Sequence, residues 1–217
     1  MINLKNYDVF IFDCDGVILD SNSLKSEAFR MSLSDEDTKK VDELVLYHKQ
    51  NGGISRYKKF DYFFNKIAPS RNSKTKIENA LTRFAEIVSK EMLRVDTIPG
   101  IEVFLSMLHK QNKRLFVNSG SDEKELREIF KKRDLSLYFE DIFGSPSSKS
   151  ENLERIDNFP DISSRSLFFG DSISDFQASK SYDIDFVFIS GYSEWQNPFP
   201  TIDKTFKDFE EILGKLH

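Results

Sequence analysis

The stretch Val9-Phe10-Ile11-Phe12-Asp13-Cys14-Asp15-Gly16-Val17 is an apolar run that stops abruptly at two carboxylates. An extended backbone alternates its side chains, so Asp13 and Asp15 project from one side and Cys14 from the other. Carboxylates that close repel each other, so either a cation sits between them or one holds a proton. Gly16 lets the chain leave the strand through backbone conformations closed to other residues, which brings amides near whatever the carboxylates hold. A lone Asp-x-Asp would be only a strand ending in a polar loop, and the rest of the chain decides whether it is more.

After Asp20 the pattern changes to helical spacing. One stripe carries Leu24, Ala28 and Met31; a second, opened by a Ser34 cap, carries Val41, Leu44, Val45 and His48. Asn51-Gly52-Gly53 interrupts the pattern. A third stripe holds Phe60, Phe63, Phe64 and Ile67 and stops at Pro69, and a fourth holds Ile77, Leu81, Phe84, Val88 and Met92. From Pro99-Gly100 onward, amphipathic helices alternate with continuous apolar runs at Leu115–Val117, Asp141–Phe143, Leu167–Phe169 and Phe186–Ile189, and a short helix is expected near Glu151 to Asn158. This order predicts an α/β fold: a Rossmann-like parallel sheet with helices on both faces, to which the first strand also belongs. Residues 1–19 and 95–217 then form the core, and 20–94 an inserted all-helical cap.

The strongly apolar strands run into polar residues at their carboxyl ends: Phe12 into Asp13, Val117 through Asn118 into Ser119-Gly120, and Phe169 through Gly170 into Asp171. In an open parallel sheet those ends share one edge, where ligand crevices form, so Asp13, Asp15, Ser119 and Asp171 are expected to meet. Two readings stand for Asp175: a residue of the same crevice, or a helix N-terminal carboxylate stabilised by the helix dipole. An acidic cluster lacking His and Cys suits a hard, oxygen-seeking cation, magnesium being the simplest. Lys149, after Gly144-Ser145-Pro146-Ser147-Ser148, is placed to meet phosphate oxygens, although a loop lysine taken alone is a solvated charge.

Composition narrows the alternatives. The 217 residues are 39% hydrophobic and include 21 Phe, enough rings to pack a sizeable core. A net charge of −5 argues against nucleic acid or an anionic membrane as partner. One Cys excludes an internal disulfide, and three scattered His offer no zinc cluster. The N-terminus does not resemble a signal peptide and no apolar stretch has membrane-spanning length, so a soluble protein of a reducing compartment, most simply cytoplasmic, is expected. Tyr192, Trp195 and Phe199, near Pro198 and Pro200, read either as a contact patch or as a packed loop, and oligomeric state is left open.

Asp13-Cys14-Asp15-Gly16-Val17, Ser119-Gly120, Lys149 and Gly170-Asp171-Ser172-Ile173-Ser174-Asp175, in that order, resemble the four motifs of the haloacid dehalogenase superfamily of phosphotransferases. The helical insertion after the first motif is similar to the cap of the branch containing phosphoglycolate phosphatases and β-phosphoglucomutases. The resemblance implies that Asp13 attacks phosphorus and carries an aspartyl-phosphate, while Asp15 protonates the leaving oxygen and then activates water. It implies phosphate binding by Ser119, the Gly120 amide and Lys149. Magnesium would be ligated by Asp13, the Asp15 backbone carbonyl and Asp171, with Asp175 acting through water. Gly53-Ile54-Ser55-Arg56 resembles the mutase cap loop, making Arg56 a candidate for the substrate's distal anionic group, against a surface arginine at a helix start. Lys25 stands where the mutase has His, and an exposed helix lysine is the expectation there.

The expected activity is thus a magnesium-dependent phosphatase acting on a small phosphomonoester such as a sugar phosphate. The alternatives are a phosphomutase and a non-catalytic phospho-acceptor module. A dinucleotide enzyme is disfavoured because no Gly-rich turn follows the first strand.

Overall fold

The structure is a computed structural model, described here for residues 2–157, 165–195, 202 and 204–216. Its centre is a six-stranded, all-parallel sheet of β1 (Val9–Phe12), β2 (Arg114–Asp122), β3 (Asp141–Ser145), β4 (Ser166–Gly170), β5 (Asp185–Ile189) and β6 (Thr205–Phe206), in spatial order β3-β2-β1-β4-β5-β6. The first strand is therefore central, flanked by β2 and β4, and the chain switches direction across the sheet at β1. Phe12 pairs with Val117 on one side and Phe169 on the other, so Asp13 emerges level with Asn118 and Gly170.

Every residue of β1 is buried, as a strand covered on both faces requires. Phe10 and Phe12 point into one layer with α5 (Ile101–Lys110), α6 (Glu123–Lys132) and α9 (Phe209–Gly214); Val9 and Ile11 point into the other, with α7 (Lys149–Asp157) and α8 (Ile173–Ser181). The first layer is largely aromatic: Phe12 stacks on Phe169 with centroids 5.0 Å apart, and Phe104 and Phe209 close edge-on or tilted around them. Each such ring contributes roughly 1.5–3 kcal/mol by leaving water, so the many phenylalanines rigidify the strand that carries Asp13.

Between β1 and α5 the chain builds α1 (Asn22–Ser32), α2 (Thr38–Gln50), α3 (Arg56–Tyr62) and α4 (Ser73–Glu91). The two connections run side by side: the Asp20 amide donates to the Asp96 carbonyl at 2.9 Å, and that of Ile98 to Ile18 at 2.9 Å. Several local expectations are corrected. Asp37, not Ser34, caps α2, accepting from the amides of Lys39 and Lys40, because the aspartate is the residue directly before the helix. The third stripe is α3 followed by a π-turn, Phe63–Ile67, and the extra residue in that turn buries Phe63 and Phe64 together. In α1 the inward face is Lys25, Ala28 and Phe29, while Met31 is exposed.

In the core, β2 continues past Val117 as far as Asp122. Its pairing with β1 ends at Val117, and its register with β3 shifts between Asn118 and Asp122, so Ser119-Gly120 lie in a strand extension and not in a loop. β6 and α9 were absent from the expected order. Tyr192 packs partly buried against the core and Trp195 is half-buried. Phe199, Pro198, Pro200 and Asn158 lie outside the described residues. Among the described residues, no helix is long and apolar enough to cross a membrane.

Candidate active site

Asp13 is held at both carboxylate oxygens: the Cys14 amide donates to Oδ1 at 2.7 Å, and Lys149 Nζ lies 2.7 Å from Oδ2. Its own amide donates to the Phe169 carbonyl at 2.9 Å, fixing the end of β1 to β4. Lys149 is the first residue of α7, and Asn118 Nδ2 anchors that end by donating to the Lys149 carbonyl at 2.9 Å. The same ammonium pairs with Asp175 Oδ1. Asp175 also closes the start of α8, its Oδ2 accepting from the Ser172 amide at 3.1 Å and hydroxyl at 2.5 Å. Both sequence readings of Asp175 therefore hold at once.

Asp171 completes the group. Asn22 Nδ2 donates to its Oδ2 at 2.6 Å. Gly16, at φ +74°, has no room for a side chain, since a Cβ there would lie 2.3 Å from that same oxygen. Asp13, Asp171 and Asp175 offer carboxylate oxygens within 4.8 Å of one another, all three buried. Three carboxylates face one ammonium. Burial, then the neighbouring Asp175 and Asp15, push Asp13 up to about 7 against the pull of Lys149. Burial with Asp13 and Asp175 drives Asp171 well above the ordinary range. A divalent cation would offset that excess, and an all-oxygen donor set fits a hard one.

With its pKa raised from 3.8 to about 7, Asp13 keeps a proton in the folded chain where the unfolded chain has released it. The metal-free protein is therefore expected to lose stability as pH rises through that window. Saturating magnesium should then raise Tm more at about pH 8 than at about pH 5; equal gains by scanning calorimetry would contradict this charge balance.

The Asp15 side chain lines the same cavity with partners of its own. Lys25 Nζ lies 2.5 Å from its Oδ2, the Ser121 hydroxyl donates to the same oxygen at 2.9 Å, and Ser21 donates to Oδ1 at 2.5 Å. Burial opposes ionisation, yet the Lys25 ammonium and the two hydroxyls hold Asp15 below the ordinary carboxylate range. The expectation of an exposed Lys25 is overturned: it is buried and also bonds Ser121. Asn22 and Lys25, three residues apart, share one helical face and meet Asp171 and Asp15 at the sheet edge.

Ser119 is fully buried, its hydroxyl accepting from the Ser121 amide at 3.2 Å, and it is Gly120 and Ser121 that line the cavity between the insertion and the sheet edge. Gly120 touches the insertion closely: a Cβ there would lie 2.2 Å from the Gly53 carbonyl oxygen. Ser174 donates to the Gly52 carbonyl at 2.8 Å on the same side.

Arg56 is not a surface residue. It lines the cavity, lies over the Phe84 ring at 5.4 Å, and donates through Nη1 to Glu125 Oε2 at 2.9 Å, tying α3 to α6. His48 and Lys59 line the same cavity from the insertion. In the sequence His48 belongs to an apolar stripe, while Lys59 stands beside Lys58 as a basic pair that reads as a solvated helix face. The structure brings together Asp13, Lys149, Asp171 and Asp175 as one cluster, and Asp15, Lys25 and Ser121 as a second beside it.

Known proteins agree with this architecture. The family model described as haloacid dehalogenase-like hydrolase matches residues 10–189. A phosphorylated carbohydrates phosphatase of Thermotoga maritima is 23% identical over 195 residues, covering 83% of this chain and 84% of that protein. Among solved structures, a predicted phosphoglycolate phosphatase from Haemophilus somnus superposes with TM-score 0.76 at 18% identity, covering 96% of this chain and 97% of the other. CbbY from Rhodobacter sphaeroides, solved in complex with phosphate, gives 0.73 at 16% identity, covering 95% and 96%. At these identities the structural likenesses speak for the fold, and the family match over most of the length settles membership: the chain belongs to the haloacid dehalogenase-like hydrolase family.

Proposed function

We propose that the protein is a magnesium-dependent phosphatase of a small phosphomonoester, working through an aspartyl-phosphate, an acyl phosphate, on Asp13. The observation that carries the reading is the buried cluster of Asp13, Lys149, Asp171 and Asp175 at the carboxyl end of the central strand. Asp13 is the nucleophile, its two oxygens oriented by the Cys14 amide and Lys149, so that little reorganisation precedes attack on phosphorus. Lys149 balances charge between nucleophile and phosphate, Gly120 and Ser121 meet the phosphoryl oxygens, and the buried Ser119 holds that turn of chain through its bond from the Ser121 amide. Magnesium, held by Asp13, the Asp15 carbonyl and Asp171, with Asp175 behind, would supply charge stabilisation of the phosphoryl oxygens. Asp15 takes up a proton with the incoming substrate, gives it to the leaving oxygen and then takes one from water; beside Lys25 it rests ionised, the form that the second step needs. Residues 20–94 act as a cap that closes over this crevice and excludes water. The phosphatase name of the Thermotoga maritima relative points the same way.

The test is phosphate release from a panel of phosphorylated metabolites with magnesium and with chelator. Magnesium-dependent release from one compound class is the expected result. Positional isomerisation of a sugar phosphate with negligible release would make it a mutase instead, and silence in both assays would count against an enzyme.

A further inference from the structure

Lys59 is 1% exposed, yet it forms an ion pair with no carboxylate among the described residues. Its ammonium meets His48 Nδ1 at 2.6 Å and lies over the Phe29 ring, 5.7 Å from the centroid. The other buried cations around the cavity are answered: Lys25 by Asp15, Arg56 by Glu125, Lys149 by Asp13 and Asp175. An unanswered buried ammonium is costly, and burial together with the nearby Lys25 charge pushes Lys59 down to about 7.

His48 sharpens the point. Burial, then Lys59, push its pKa well below the ordinary value, so the ring is neutral. An ammonium donating to Nδ1 leaves the ring proton on Nε2, and that buried Nε2 has no partner. Both residues line the cavity that also contains Asp13 and Asp15. At this end, then, the cavity offers hydrogen-bond donors and no uncommitted carboxylate. Arg56, the sequence candidate for an anion contact, is already neutralised by Glu125.

We propose that Lys59 and His48 form an oxyanion subsite for the far end of the substrate, so that the phosphomonoester carries a second anionic group, a carboxylate or a second phosphate, on its leaving group. The inference rests on the phosphatase reading for the phosphoryl end alone. A bound oxyanion would satisfy the Lys59 charge and the Nε2–H together, as charge-assisted hydrogen bonds do.

Equilibrium binding separates this subsite from turnover. Calorimetry at fixed salt and magnesium would compare propylphosphonate, 3-phosphonopropionate and propane-1,3-bisphosphonate, together with homologues lengthened by single methylenes, on the wild type and Lys59→Met. The wild type should bind at least one doubly anionic series about tenfold or more tighter than the matched monophosphonate. The series with the larger gain identifies the anion as carboxylate or phosphate. In Lys59→Met that preference should collapse to near parity. Equal binding of single and double anions by the wild type overturns the subsite, and needs no variant to fold. A preference that survives Lys59→Met overturns it as well, by assigning the anion to another cation. Selective binding without hydrolysis of any phosphate ester would leave the subsite standing and remove the phosphatase.

Discussion

Asp13→Asn is expected to lower magnesium-dependent phosphate release by about 10⁴-fold or more, because an amide cannot serve as the nucleophile. Asparagine keeps the shape of the side chain and an oxygen for the Cys14 amide, so the strand end and its pairing to Phe169 should persist. The variant also removes one of three buried carboxylates facing a single ammonium. In chelator its stability should therefore depend less on pH between about 4 and 7 than that of the wild type, the window set by the raised Asp13 pKa. Activity and pH dependence changing together would separate loss of the nucleophile from general unfolding. Turnover within tenfold of wild type, in a preparation free of contaminating phosphatase, would remove Asp13 from the chemistry.

Lys149→Met carries the second large effect, and it falls on stability as well as on rate. Lys149 is 5% exposed, and its partners Asp13 and Asp175 are 3% and 0% exposed. Methionine retains most of the volume but leaves Asp13, Asp171 and Asp175 with no positive charge among them. Removing one partner of a buried pair costs about 3–5 kcal/mol, chiefly from the charge left behind. Denaturant unfolding in chelator should show a loss of that order, larger at about pH 8 than at about pH 5, where protonation of the carboxylates offsets part of it. Magnesium should restore part of the stability, since a divalent cation occupies the same charge deficit, but not the rate, which needs the lysine against the phosphate. A loss below about 1 kcal/mol at pH 8 would mean that the three carboxylates do not share one electrostatic site.

The positions of these residues were legible in the sequence to an uneven degree. Phe12 before Asp13, Val117 before Asn118 and Phe169 before Gly170 mark where buried strands meet polar crevice residues, and a parallel sheet leaves those ends on one edge. That pattern was sufficient to place Asp13 and Asp171 together, while Asp175, four residues further on, was left between the crevice and a helix start. The four helices of the insertion were readable from apolar spacing, but which face of α1 turns inward was not. Leu24, Ala28 and Met31 made the better apolar stripe on paper, while Lys25 reaches the sheet edge and Phe29 packs on His48, Phe60 and Phe84 inside the insertion. Charged residues defeat hydrophobic periodicity when the surface they bury against is itself charged, as Asp15 is for Lys25. Lys59 escaped for a different reason: Lys58-Lys59 looks like a solvated pair, and only the fold shows that one of the two lines a cavity, against His48 and Phe29. The short β6 and α9 were missed because two- and six-residue elements carry too little periodicity to stand out.

The most direct test of the account is a chemical trap for phosphate on Asp13. In Asp15→Asn, with acetyl phosphate as donor, the leaving acetate needs no proton while the water-activating carboxylate is gone, so phosphorylated enzyme should accumulate. Rapid quenching followed by borohydride reduction and peptide mass spectrometry should find homoserine at position 13, in near-stoichiometric amount, together with a matching burst of acetate. Acetate release that proceeds with position 13 unmodified, or with the reduced residue at another carboxylate, would contradict Asp13 as the phosphoryl acceptor.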